Sequence, residues 1–261
     1  MIEIENNEIL YNKKNGIEYI QFKKLLEFNI KHAYTLKSEN TNFYFKSENE
    51  MESYKKLFSA LDLNIDSLVK PMQTHTSVVK CIDSIKSSES LNNVDGLITD
   101  KTNITLATVN ADCILFLFFD PIKKVIANVH SGWRGTFQKI AEKTVVKMIN
   151  NYNCNPKDIM CFICPSIRKC HFEVDEDVKQ LCEEIFSFTN RINEFIEKSS
   201  NNNSKKYYID TVLINKIILE ELGVKKENII DCNICSVCNK DKIVSYRAGD
   251  KEIRGTAIIS L

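Results

Sequence analysis

Residues 104–136 read ITLATVNADCILFLFFDPIKKVIANVHSGWRGT, and the fold is organised around them. Ile104–Val109 and Ile114–Phe119 are dense in branched and aromatic residues, as buried strands are. Val125–Val129 is a third apolar run. Asp120-Pro121-Ile122-Lys123 separates the second run from the third, and Asp followed by Pro signals a turn. Runs two and three are therefore expected to form a hairpin. Asp112 and Cys113 precede the second strand, and His130 closes the third. An antiparallel pair sets the start of one strand beside the end of the next, so Cys113 and His130 are predicted neighbours at one sheet edge.

Past His130, Ser131-Gly132-Trp133-Arg134-Gly135-Thr136 feeds a helical pattern carried by Phe137, Ile140, Ala141, Val145, Met148 and Ile149. A glycine-containing turn at a helix start presents backbone N–H groups to an anion, and Arg134 adds a cationic fork. That edge would thus offer a thiol, an imidazole, the Asp112 carboxylate and an anion cradle. Cys113 by itself is equally well read as a core thiol.

The chain has 261 residues, 43% of them hydrophobic, enough for one substantial core. Its formal net charge is zero, which implies no general attraction to nucleic acid or to acidic membranes. No apolar run is long enough to span a bilayer, and MIEIENNEIL lacks the basic-then-apolar pattern of a signal peptide, so a cytoplasmic protein is expected. Ten cysteines in that compartment are thiols, ligands or core fillers rather than a disulfide scaffold.

Upstream, short extended runs cover Glu8–Tyr11, Gly16–Gln21 and Phe28–Tyr34, with a turn over residues 12–16. His32, in the third run, reads as a half-buried strand residue. Ser47 followed by Glu50 fits a capping box, and Met51, Tyr54, Leu57, Phe58 and Leu61 mark one face of a helix over residues 48–60. His75 stands at the edge of a strand, Val78–Ile82, where sites form. Asp95-Gly96 signals a turn, after a polar loop over residues 84–93.

Downstream, Asp158–Ile163 is an expected strand, and Val178, Leu181, Cys182, Ile185 and Phe186 share a helix face. Residues 199–206 are a polar loop. Asp210 is placed to cap a helix that runs to Leu222 and stops at Gly223. Ile243–Arg247 and Thr256–Leu261 read as strands. Cys232, Cys235 and Cys238, and likewise Cys161, Cys164 and Cys170, raise a metal reading. Neither set forms the usual pair of separated knuckles, so core thiols are the expectation there.

His75, Cys113 and His130 admit two chemistries. Two imidazoles and a thiolate would bind zinc and leave an open fourth position, as catalytic sites do, and the same donors suit copper. Alternatively Cys113 is a nucleophile with a histidine as base. Spacing does not separate the two; a second histidine favours metal.

The motifs Gln73-Thr74-His75, Val94-Asp95-Gly96-Leu97, Asn110-Ala111-Asp112-Cys113, His130-Ser131-Gly132-Trp133-Arg134-Gly135, Cys164-Pro165-Ser166-Ile167 through Val174, and Cys235 to Arg247 together resemble the YfiH/YlmD family, also called multicopper polyphenol oxidases or peptidoglycan editing factors. The resemblance implies one α/β (α+β) domain over residues 1–261, with layered mixed sheets covered by helices (α/β/β/α). It implies zinc, or copper, at His75, Cys113 and His130. It also implies a purine nucleoside phosphorylase acting on adenosine, inosine or methylthioadenosine with phosphate, with adenosine deamination beside it. Cys113, His130 and Asp112 would be catalytic, and Lys37, Asn110, Arg134 and Glu173 would bind nucleoside and phosphate. The chain departs from the family where a His-Gly-Phe-x-x-Arg-x-Gly-Gly segment is replaced by His32 to Asn40, so that Lys37 stands for the arginine as a point charge without a fork. Glu252-Ile253-Arg254 replaces a terminal Thr-Gly-Arg, and Cys164 a glycine. A copper-dependent phenol oxidase, a Cys113-dependent hydrolase or amidase acting on peptidoglycan precursors, and a non-enzymatic metal-binding module stand as the competing expectations.

Overall fold

In the computed structural model, which describes residues 4–38, 40–85, 91–199 and 205–261, two six-stranded sheets pack face to face. The first contains β1 (Ile9–Lys14), β2 (Ile17–Phe22), β3 (Lys31–Thr35), β4 (Leu68–Val69), β7 (Thr105–Asn110) and β15 (Gly255–Ser260), in the spatial order β1-β2-β3-β15-β7-β4. The second contains β5 (Val79–Cys81), β6 (Gly96–Thr99), β8 (Ile114–Asp120), β9 (Val125–Ser131), β10 (Met160–Ile163) and β14 (Ile229–Asp231), in the order β14-β10-β8-β9-β6-β5. A smaller sheet has β13 (Lys206–Ile209) between β11 (Glu173–Asp175) and β12 (Ile196–Lys198). The helices are α1 (Lys23–Glu27), α2 (Glu50–Ala60), α3 (Trp133–Phe137), α4 (Ile140–Tyr152), α5 (Glu176–Ile185), α6 (Ile192–Phe195) and α7 (Thr211–Glu221).

The expected hairpin forms. β8 and β9 pair antiparallel, with Ile114 opposite Ser131 and Asp120 opposite Val125. Asp120 makes the turn itself, its Oδ1 accepting from the N–H groups of Ile122 and Lys123 at 2.8 and 2.9 Å. Every residue of β8 is buried because both its faces are covered. Leu115, Leu117 and Phe119 meet Leu106, Ala257 and Ile259 between the sheets. Ile114, Phe116 and Phe118 meet α4 and α7. On the far side of the first sheet, Ala33, Ala107 and Ile258 pack under Tyr54, Leu57 and Phe58 of α2. Helix, sheet, sheet, helix is the expected layering. A polar bridge crosses the inter-sheet core: Asn128 donates to the carbonyls of Leu106 and Ala257 at 3.0 and 2.8 Å and accepts from Thr108.

Several local expectations are corrected. The helix after His130 is broken in two, because Lys139 stands at φ 56° between α3 and α4. The capping box at Ser47 is not made: α2 begins at Glu50 with no side-chain cap, and the Glu50 carboxylate pairs with Lys70 instead. Residues 243–247 are not a strand; Ser245 and Arg247 give their N–H groups to Asp250 and Asp112. Asp95-Gly96 is no hairpin turn. Gly96 opens β6, where an added Cβ would lie 3.0 Å from a Val79 methyl and 3.3 Å from a Val129 methyl. The first hairpin turn is narrower than expected, with Asn15 and Gly16 both at positive φ (53° and 75°). Asp210 caps α7 as predicted, accepting from Leu213 N–H at 2.9 Å. Residues 86–90 and 200–204, parts of the two expected polar loops, lie outside the described residues.

Candidate metal centre and its cavity

Two loops and one strand end deliver the expected triad to one point. Cys113 leaves the turn between β7 and β8, where Asp112 stands at φ 83°. His130 is on β9. His75, at φ 64°, lies on the segment between β4 and β5. Backbone strain of this kind persists only where neighbours over-determine it. Here Gln73 does so, its amide forming two hydrogen bonds with the backbone of Val109, at 2.8 and 2.7 Å. Asn110 holds the Cys113 turn by donating to the carbonyls of Cys113 and Pro165 at 2.6 and 3.2 Å.

Asp95 ties the pieces together. Its Oδ1 lies 2.7 Å from His130 Nδ1 and accepts from His75 N–H at 3.1 Å. Its Oδ2 accepts from the N–H and Oγ1 of Thr76, each at 2.7 Å. With Nδ1 on the carboxylate, His130 turns Nε2 toward Cys113. His75 Nε2 is 3.8 Å from Cys113 Sγ, and all three donor atoms lie within 4.8 Å of one another. Gly132 is the space that permits this. A Cβ there would stand 2.8 Å from His75 Cδ2 and 3.2 Å from Cys113 Sγ.

Without metal, the cluster polarises itself. Burial opposes the Cys113 thiolate, but His130 and then His75 outweigh it and bring the thiol down to about 6. Burial likewise opposes the His130 cation, but Cys113 and Asp95 lift the imidazole to about 9. Burial works against the Asp95 charge too, and the contact with His130 and the bonds from Thr76 still hold its carboxyl below the usual range. A thiolate, two ring nitrogens, a carboxylate behind one ring and an open face form a donor set that fits a catalytic divalent metal.

The open face borders a cavity of ≈ 690 Å³, within the range of small-molecule sites. Aromatic side chains line much of it, among them Phe43, Tyr44, Trp133, Phe172 and Tyr246. Its cations are Lys70, Arg247 and Arg254, with Lys70 paired to Glu50 at 2.8 Å. Of the residues expected to contact substrate, Asn110 lines this cavity, as does Asp112. Lys37, Arg134 and Glu173 do not line it; each supports a residue that does. Lys37 Nζ lies 2.8 Å from Asp250, the carboxylate that holds the turn bearing Tyr246 and Arg247. The Arg134 guanidinium sits 4.3 Å above the Trp133 ring. The Glu173 carbonyl accepts from Arg247 Nη2 at 3.3 Å. Both Asp112 oxygens are engaged, by Ser236 Oγ at 2.5 Å and by Arg247 N–H at 2.7 Å.

The anion-binding turn expected at Gly132–Gly135 is instead the first turn of the short α3, and the arginines that line the cavity, Arg247 and Arg254, come from the C-terminal loops, where each donates to backbone carbonyls. Asp95, Gln73 and Arg247 escaped sequence reasoning. Asp95 left a trace in Val94-Asp95-Gly96-Leu97, a charge between buried apolar residues, but the same letters spell a turn. His32 lies on β3 as expected, but it is fully buried rather than half-buried. Its Nε2 accepts from Phe22 N–H at 2.7 Å, and burial brings its pKa down to about 4. Cys161, Cys164 and Cys232 are core thiols, all pushed upward by burial.

Comparisons with known proteins show the family and the fold. The model of the family described as multi-copper polyphenol oxidoreductase laccase matches residues 34–261. A purine nucleoside phosphorylase of Clostridium acetobutylicum is 31% identical over 212 residues, 80% of this chain and 82% of that protein. The human purine nucleoside phosphorylase LACC1 is 30% identical over 206 residues, 75% of this chain but 43% of the human protein, so the chain spans less than half of that relative. An adenosine deaminase, RL5, of an unknown prokaryotic organism is 30% identical over 194 residues, 72% of each chain. Among solved structures, Bacillus licheniformis YfiH has the same fold, with a TM-score of 0.86 at 22% identity over 98% of this chain and 100% of that one.

Proposed function

Since the chain belongs to the multi-copper polyphenol oxidoreductase laccase family, we propose that it is a metal-containing purine nucleoside phosphorylase, converting adenosine, inosine or methylthioadenosine and phosphate to the free base and ribose 1-phosphate, with adenosine deamination as a side activity. One observation carries this reading: the three-donor centre opens onto a cavity that combines aromatic walls with Arg247 and Arg254. Aromatic faces suit a purine, and arginine forks suit phosphate. Zinc is the proposed metal at His75, Cys113 and His130, and copper is accepted by the same donors. When bound, it supplies Lewis acidity at the cavity floor.

The chain's own residues divide the remaining work. Asp95 fixes the His130 tautomer and keeps its Nε2 free for metal. Arg247 and Arg254 hold phosphate beside the sugar. Asn110 and Asp112 keep the Cys113 turn and the Arg247 loop in register. Lys37, Arg134 and Glu173 act one residue back from the substrate, through Asp250, Trp133 and Arg247.

The test is purified, zinc-loaded protein with inosine, in the presence and absence of phosphate. Phosphate-dependent hypoxanthine with equimolar ribose 1-phosphate is the expected result. Hypoxanthine released equally without phosphate, or none at all, refutes phosphorolysis. A several-copper oxidase has less support, because among the described residues the cavity offers only His75, Cys113 and His130 as one cluster. Phenol oxidation rising with copper content would restore that reading, and full activity in metal-free enzyme that iodoacetamide abolishes would restore the thiol hydrolase.

A further inference from the structure

Beyond the cavity, four further donor atoms converge. Cys170 and His171 lie on the loop before β11, and Cys235 and Cys238 on the loop after β14. The two loops are brought together because they continue the parallel pairing of β10 with β14. Ser166 N–H donates to the Ile234 carbonyl at 3.3 Å, and Ser236 N–H to the Ser166 carbonyl at 2.9 Å. Past that point Cys235-x-x-Cys238 closes a tight turn, with Asn239 N–H on the Cys235 carbonyl at 3.1 Å.

The distances describe a tetrahedron. Cys170 Sγ lies 3.6 Å from Cys235 Sγ and 3.8 Å from Cys238 Sγ. His171 Nδ1 lies 3.2 Å from Cys170 Sγ, 3.7 Å from Cys235 Sγ and 3.5 Å from Cys238 Sγ. Zinc bonds of roughly 2.3 Å to sulfur and roughly 2.05 Å to nitrogen put tetrahedral donors roughly 3.8 Å apart for S···S and roughly 3.5 Å for S···N. Five edges thus match a common centre, and the sixth, Cys235 to Cys238, is within 4.8 Å. Backbone N–H groups of Arg168 and Cys238 donate to Cys235, a pattern that steadies a thiolate ligand. All four positions are filled by protein, so the site is closed, as structural sites are.

We propose that Cys170, His171, Cys235 and Cys238 bind a second, structural zinc-class cation that staples the loop before β11 to the loop after β14. On binding, three thiol protons leave to solvent, and His171 coordinates as the neutral ring. The staple lies directly behind the cavity wall. Arg247 Nη1 donates to the His171 carbonyl at 2.9 Å, and Ser236, between two of the cysteines, donates to Asp112. The site therefore fixes the strands of chain that carry Arg247. It stands independently of the proposed reaction.

Elemental analysis and cobalt substitution test it. Wild-type protein is expected to carry two zinc ions per chain, and Cys113→Ala one. The cobalt form of Cys113→Ala should keep strong sulfur-to-cobalt charge-transfer bands, about three times those of the Cys113 site, as three thiolates against one require. Cys235→Ser with Cys238→Ser should lose those bands while keeping one equivalent at the Cys113 centre. Should that variant fail to fold, the wild-type protein still decides. Two equivalents, with a spectrum summing four thiolates, support the site. A single equivalent, a Cys113→Ala protein without zinc, or a disulfide among the three cysteines in zinc-loaded protein overturns it.

Discussion

Asp95 orients His130, and Cys113 holds a thiol that His130 and His75 draw down. Asp95 receives one imidazole, one hydroxyl and the N–H groups of Thr74, His75 and Thr76. Asp95→Asn replaces one accepting oxygen by a donor that faces other donors. Loss of such a partner behind a metal-bound histidine costs about 10–100-fold in metal affinity. Competition with a chromogenic chelator measures this, and unchanged affinity would show that Asp95 merely fills space. Cys113 predicts a pH profile. In metal-stripped protein its thiol, lowered to about 6, is ionised across the neutral range, while His130 keeps its proton up to about 9. Its alkylation by iodoacetamide, followed at that residue by mass spectrometry, should be half-maximal near pH 6 and level above. A midpoint at the ordinary thiol value would contradict the ion pair. Metal must displace the His130 proton, so metal affinity should rise with pH until about 9.

At the scale of elements, the hairpin of β8 and β9 was legible and the C-terminal loops were not, for a physical reason. A strand covered on both faces writes an unbroken apolar run, and Asp-Pro marks its end. The loops from Cys232 to Arg254 are held by scattered long-range contacts, among them Asp112 to Arg247 and Lys37 to Asp250, which leave no period in the sequence. The Cys170-His171 pair is hidden likewise: half of its ligand set is two adjacent residues, far in sequence from the other half. Of the candidate centre, the convergence of His75, Cys113 and His130 was readable from motif residues, whereas Asp95 was indistinguishable from a turn. The sheets themselves are tied by Asn128, whose side chain joins β7, β9 and β15. Asn128→Ala removes the amide donor from two buried carbonyls and the acceptor from the Thr108 hydroxyl, and opens a cavity. Urea unfolding should show a loss of about 3 kcal/mol. A loss under about 1 kcal/mol would mean that water replaces the amide.

Across the whole molecule, the last strand sits in the middle of the first sheet. β15 is buried at every position and lies between β3 and β7, pairing four residues with one and six with the other. Ala257 and Ile259 face the inter-sheet core, while Ile258 faces α2, so one strand seals three layers. β1, by contrast, is an edge strand bonded to β2 alone. Shortening the chain at its two ends should therefore have unequal effects. Removal of residues 255–261 bares both ladder partners and both core faces, and this exceeds the net stability of roughly 5–15 kcal/mol that ordinary domains possess. The shortened chain should lose its cooperative transition in near-ultraviolet circular dichroism. Removal of residues 1–14 gives up one ladder and part of one face, so a cooperative transition at lower temperature should survive. Because β15 closes the first sheet from the far end of the sequence, the sheet completes only when distant segments meet, and refolding from urea should be slow. A protein lacking residues 255–261 that still unfolded cooperatively near the wild-type midpoint would show that β3 and β7 find another partner, and that the central position of β15 is not what holds the two sheets together.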